Sequence, residues 1–179
     1  MGRESAHWLL DLSAEEATAV AHAFDALGLE RAQEDPARSD FLLRDPHRFW
    51  IDLRVHRTPA TRLEVRIALT NDTWSIRGPL ERVLTPLAPT LGGRPIDDED
   101  GTQITTFGDD GWSLALEDDY ARLRDAFIAR LGDFNAPISA DHVYMYVHQT
   151  RWNRDNDDEL AWHREREIAR IEEMWEKGD

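Results

Sequence analysis

The chain contains no cysteine. That absence excludes disulfides, thiolate catalysis and cysteine zinc sites together. Long hydrophobic runs are missing as well. No stretch approaches the roughly 18 apolar residues of a membrane span, and MGRESAHWLL has no apolar signal-peptide core. Ala6 stands where an N-myristoylation signal needs Ser or Thr. Basic residues are scarce beside acidic ones, 21 against 36, which gives a formal net charge of −15. Such a charge repels nucleic acid phosphates and anionic membranes and speeds association with a basic protein. The expectation is a cytoplasmic protein with neither nucleic acid nor membrane among its partners, and of unassigned oligomeric state.

Catalytic signatures are also lacking. There is no HExxH pair, no GxSxG elbow, no Walker loop and no GxGxxG turn. The serines Ser5, Ser13, Ser39, Ser75, Ser113 and Ser139 fall in caps, turns or a strand. Asp155-Asn156-Asp157-Asp158-Glu159 starts like a calcium loop, yet Leu160 and Arg166 occupy the positions that need Gly and Glu. His142 and His148 share a face if they lie in one strand but stand roughly 20 Å apart, too far to ligate one ion. The sequence therefore leads to no catalytic residue, no metal site and no cofactor.

What is present is periodicity. Ser13-Ala14-Glu15-Glu16 has the form of a capping box, followed by Ala17, Val20, Phe24 and Leu27 on one helical face and by Gly28 at the stop. Phe49, Ile51, Leu53 and Val55 alternate with Trp50, Asp52, Arg54 and His56. After RTPAT, Leu63, Val65, Ile67 and Leu69 alternate with Glu64, Arg66 and Ala68. Two such runs joined by a short Pro-containing loop predict an antiparallel hairpin with one buried face. Leu80, Val83, Leu84 and Leu87 predict a second helix, which Pro86 and Pro89 kink or end. Residues 112–117 (WSLALE) read as a strand carrying Trp112, Leu114 and Leu116, and residues 119–131 as a third helix capped by Asp119.

A strand–helix–strand–strand order occurs twice, over about residues 7–55 and 63–117. A strand and a charged helix then follow within 139–177. The fold this predicts is a single α+β domain over 1–179: an antiparallel sheet of about six or seven strands from two pseudo-repeated units. Its helices lie mainly on one face, with the C-terminal helix attached.

Two surfaces draw attention. Asp97, Asp98, Glu99, Asp100, Asp109 and Asp110 crowd two turns, and Trp152 and Trp162 lie in an aromatic C-terminal segment. Together they suggest a face for a basic protein partner, tryptophan being enriched at binding hot spots. The polar side of the hairpin carries Trp50, Arg54, His56, Glu64 and Arg66, a ligand face if the sheet is open there. The function these features favour is a small acidic, non-catalytic binding protein, such as a bacterial immunity-type or inhibitor partner of a basic toxin or nuclease. The alternative is a small-ligand-binding or enzymatic domain with its pocket on the open sheet face.

Overall fold

The computed structural model describes residues 5–45, 49–69 and 75–131. Among these residues seven strands form one sheet: β1 (Ser5–Asp11), β2 (Glu30–Asp35), β3 (Arg38–Asp45), β4 (Phe49–His56), β5 (Arg62–Ala68), β6 (Pro95–Asp98) and β7 (Gln103–Thr106). Four described helices accompany them: α1 (Ala14–Ala26), α2 (Arg77–Leu84), α3 (Ala88–Leu91) and α4 (Trp112–Leu131). The sheet order is β2-β3-β4-β5-β1-β6-β7, with every neighbouring pair antiparallel. The architecture is therefore α+β with an antiparallel sheet.

Alternation in the central strands produces one apolar face. Ala6, Trp8 and Leu10 of β1 stand opposite Ile67, Val65 and Leu63 of β5, which stand opposite Ile51, Leu53 and Val55 of β4. Phe41 and Leu43 continue the row on β3. These residues share one buried cluster with Val20 and Phe24 of α1, Leu80 and Val83 of α2, and Leu116 and Tyr120 of α4. The helices thus cover a single face, as the element order requires.

α1 begins as its sequence specifies. Ser13 Oγ accepts from the Glu16 amide at 3.2 Å, and Glu16 Oε2 accepts from the Ser13 amide at 2.7 Å. Gly28, at φ 70°, closes the helix in the left-handed conformation that side chains disfavour. A 3₁₀ turn at Thr85–Leu87, where Pro86 lies, separates α2 from α3. Ile76 holds the N-cap position of α2 without a side-chain hydrogen bond.

The second half departs from the sequence expectation. Residues 112–117 are not a strand, because α4 runs unbroken from Trp112 to Leu131. Trp112, Leu116, Tyr120, Leu123 and Phe127 recur every three or four residues, the helical period, whereas Leu114 is 46% exposed. Asp119 is accordingly an interior helix residue rather than a cap. The two units are not symmetric halves either. The β1–α1–β2 connection passes β5, β4 and β3 to reach the edge, while β5–α2–α3–β6 passes only β1. β2, with the charged sequence ERAQED, is a strand that the hydrophobic pattern does not reveal. The expected strand and helix within 139–177 lie outside the described residues.

One polar pin crosses the core. Trp8, fully buried in β1, donates Nε1–H to Asp119 Oδ2 of α4 at 2.9 Å, and Arg122 Nε donates to Oδ1 at 3.2 Å. Trp8→Phe removes the indole N–H and strands a buried carboxylate oxygen, a loss of about 1–3 kcal/mol, to which the vacated part of the buried indole volume adds a cavity cost. The expected result is a lower denaturant midpoint with an unchanged slope, measured by urea unfolding.

Candidate functional site

The face of the sheet opposite the core is polar, and the register decides what meets there. On β1 it carries Ser5, His7, Leu9 and Asp11; on β5, Arg62, Glu64, Arg66 and Ala68. On β4 it carries Asp52, Arg54 and His56, and on β3, Arg38, Asp40 and Leu42. Glu64 sits at the centre. Leu9 and Arg54 flank it directly across the ladder, and His7 and His56 reach it diagonally.

Both carboxylate oxygens of Glu64 are engaged. His7 Nδ1 lies 2.8 Å from Oε1, His56 Nε2 lies 2.8 Å from Oε2, and Arg54 Nη1 stands 3.8 Å from Oε2. Burial opposes ionisation of Glu64. The hydrogen bonds from His56 and His7, with the positive charge of Arg54, overcome that penalty and hold its carboxyl well below the usual carboxylate range. An ionised carboxylate only accepts, so the hydrogens of both bonds belong to the histidines. For neutral His7 this places the hydrogen on Nδ1 and leaves Nε2 as an acceptor. Ser5 Oγ lies 2.7 Å from that Nε2, and Arg66 Nε donates to the same Oγ at 3.1 Å.

On the rest of the face Asp40 and Asp52 are buried, while Arg38, Arg62 and Arg66 are partly exposed and Asp11 is exposed. Asp40 is only 3% exposed and lies 2.7 Å from Arg38 Nε. Arg54 is surrounded by acids: Asp52 at 3.6 Å, Glu64 at 3.8 Å and Asp40 at 4.0 Å. Its Nε is buried and makes no hydrogen bond to a described residue. Among the described residues, no group of three or more His, Asp and Glu side chains forms a metal-ligand cluster.

Four of the five residues assigned to the ligand face are brought together here: Arg54, His56, Glu64 and Arg66. Trp50 takes the register position on β4 opposite Arg44. Sequence reasoning missed Ser5, His7, Asp40 and Asp52. Each lies on the polar phase of an alternating strand, but only the cross-strand register shows that they converge. No protein-family model, curated protein or solved structure matches the chain.

The acidic residues are placed differently. Asp97 and Asp98 end β6, and Glu99 and Asp100 occupy the β6–β7 turn. Asp98 Oδ1 accepts from the amides of Asp100 at 2.9 Å and Thr102 at 2.8 Å, which makes it a turn-forming residue. Asp109 and Asp110 follow the far end of β7, before Gly111 and α4. Because Pro95 pairs with Thr106 and Asp97 with Gln103, the two acidic turns lie at opposite ends of the β6–β7 hairpin rather than in one cluster. Trp152 and Trp162 lie outside the described residues. No described helix is long and apolar enough to cross a membrane.

The Glu64 cluster predicts a pH dependence. The folded pKa lies below the ordinary value of 4.5, so the stabilisation from ionised Glu64 is fully present above that value. It is lost progressively as the pH falls below it toward the folded pKa. The stability gap between the natural protein and Glu64→Gln should be widest near neutrality and narrow below about pH 4, as read from urea midpoints across the range.

Proposed function

We propose that this chain is a small acidic protein that binds a basic protein partner, in the manner of an inhibitor or immunity protein that neutralises a basic toxin or nuclease. The observation that carries this is the excess of 15 negative charges, with Glu99, Asp100, Asp109 and Asp110 all exposed. A field of that sign raises the encounter rate with a cationic surface and leaves the final fit to short-range contacts. The separation of the two acidic turns favours a partner contacting the length of the β6–β7 hairpin over one engaging a point cluster. Affinity capture on the full chain from native cells supplies the partner for measurement. Its association rate should fall steeply with added salt, and Asp109→Lys with Asp110→Lys should slow association more than it speeds dissociation. A salt-insensitive association rate removes the electrostatic basis of the proposal.

The polar sheet face favours a second reading, a site for a small polar ligand. Arg54 Nε is a buried donor without an acceptor among three carboxylates that all stand beyond hydrogen-bond distance. An anion placed there meets three like charges, whereas a neutral carbonyl or amide oxygen accepts from Arg54 without that repulsion. Small amides should show ligand-observed NMR saturation transfer with the natural protein. The signal should be lost with Arg54→Lys, which keeps the charge but lacks the guanidinium geometry. Saturation transfer that survives in Arg54→Lys counts against this site.

A further inference from the structure

We propose that Ser5, His7 and Glu64 form a nucleophilic relay, with Ser5 Oγ the attacking atom toward small, activated acyl or sulfonyl compounds. This deepens the sheet-face reading by naming a substrate class. The geometry is the one nucleophilic catalysis needs: a hydroxyl within hydrogen-bond reach of a base, and the base oriented by a third group. Ser5 Oγ lies 2.7 Å from His7 Nε2, and His7 Nδ1 lies 2.8 Å from Glu64 Oε1. The sequence of atoms is hydroxyl, Nε2, Nδ1, carboxylate, the order found in Ser-His-acid triads.

The direction of each hydrogen bond follows from Glu64. Its ionised carboxylate fixes the hydrogen of neutral His7 on Nδ1, so Nε2 can only accept and the Ser5 O–H must donate to it. Arg66 Nε donates to Ser5 Oγ at 3.1 Å and so holds the hydroxyl oxygen in place beside His7.

With an ester, the balance of the step is simple. Ser5 Oγ bonds to the acyl carbon, its proton passes to His7 Nε2, and the carbonyl π pair moves onto oxygen. Collapse breaks the ester C–O bond, and His7 returns the proton to the departing alcohol. Water then repeats the sequence on acyl-Ser5 and releases the acid, with no redox change and no cofactor. Ser5 is 4% exposed, which restricts the reaction to small reagents.

The test uses the full chain and phenylmethylsulfonyl fluoride, which a nucleophilic serine attacks at sulfur with loss of fluoride. Intact mass and peptide mapping should show one adduct, on Ser5, formed faster than any on the exposed Ser13 and Ser75. His7→Gln should slow its formation by on the order of 10²-fold or more. Glu64 acts through His7 as a positioning residue, and Glu64→Gln should slow labelling while leaving Ser5 its only site. Circular dichroism of each variant confirms that it folds, and mapping on the natural protein is informative without any variant. Ser5 modified no faster than Ser13 and Ser75, or at a rate indifferent to His7→Gln, overturns the relay. Amide binding at Arg54 with Ser5 unmodified overturns the relay alone and leaves the ligand face standing.

Discussion

The polar half of this protein is organised by the need to keep one carboxylate ionised where water is scarce. Removing a charged group from water costs several kcal/mol unless partners replace the lost hydration. Glu64, with a side chain only 12% exposed, meets that cost through two imidazole donors and a guanidinium that arrive from both neighbouring strands. The consequence spreads outward. Because Glu64 only accepts, it orients His7 and His56, and His7 in turn orients Ser5. A single ionisation thereby sets the hydrogen-bond directions on β1, β5 and β4.

The same rule operates on the other side of the sheet. Among the described residues Trp8 is the largest fully buried side chain, and its one polar atom is satisfied by Asp119 from α4. Asp119 is in turn held by Arg122. Tyr120, one residue on, donates its hydroxyl to the Ala68 carbonyl at the end of β5 at 3.0 Å. α4 is therefore seated by two directional bonds as well as by its apolar stripe. Burial supplies most of the energy of such packing, and the polar bonds select one seating of the helix among the many that burial alone tolerates.

The parts legible in the sequence were those with a single local explanation. The capping box of α1 and the β4–β5 hairpin follow directly from residue order, since period-2 alternation and a Ser-x-x-Glu motif admit few alternatives. Trp112, Leu114 and Leu116 satisfy period 2, yet Trp112 and Leu116 also satisfy a helical spacing of four. Only continuation through Tyr120, Leu123 and Phe127 decides between them. β2 was hidden because a charged strand at the edge of the described sheet shows no apolar alternation; the backbone ladder to β3 holds it. The convergence of Ser5, His7 and Glu64 was hidden for a different reason. Their sequence separation is 57 residues between the last two, and cross-strand register is not written in either strand alone.

The register also separates this protein's charge from its chemistry. Among the described side chains on the polar face of β3, β4, β5 and β1, Arg38, Arg54, Arg62 and Arg66 stand against Asp11, Asp40, Asp52 and Glu64. Four against four leaves that face near neutral, so the net charge of −15 resides elsewhere in the chain. A near-neutral face makes a poor electrostatic lure for a basic protein, since the charges of opposite sign on it largely cancel at a distance. Exposed turns have the opposite character: they are solvated, screened by salt and suited to long-range attraction rather than chemistry. The proposed partner contact and the proposed Ser5 relay therefore draw on different surfaces, and substitutions at Asp109 and Asp110 should leave the Glu64 network intact.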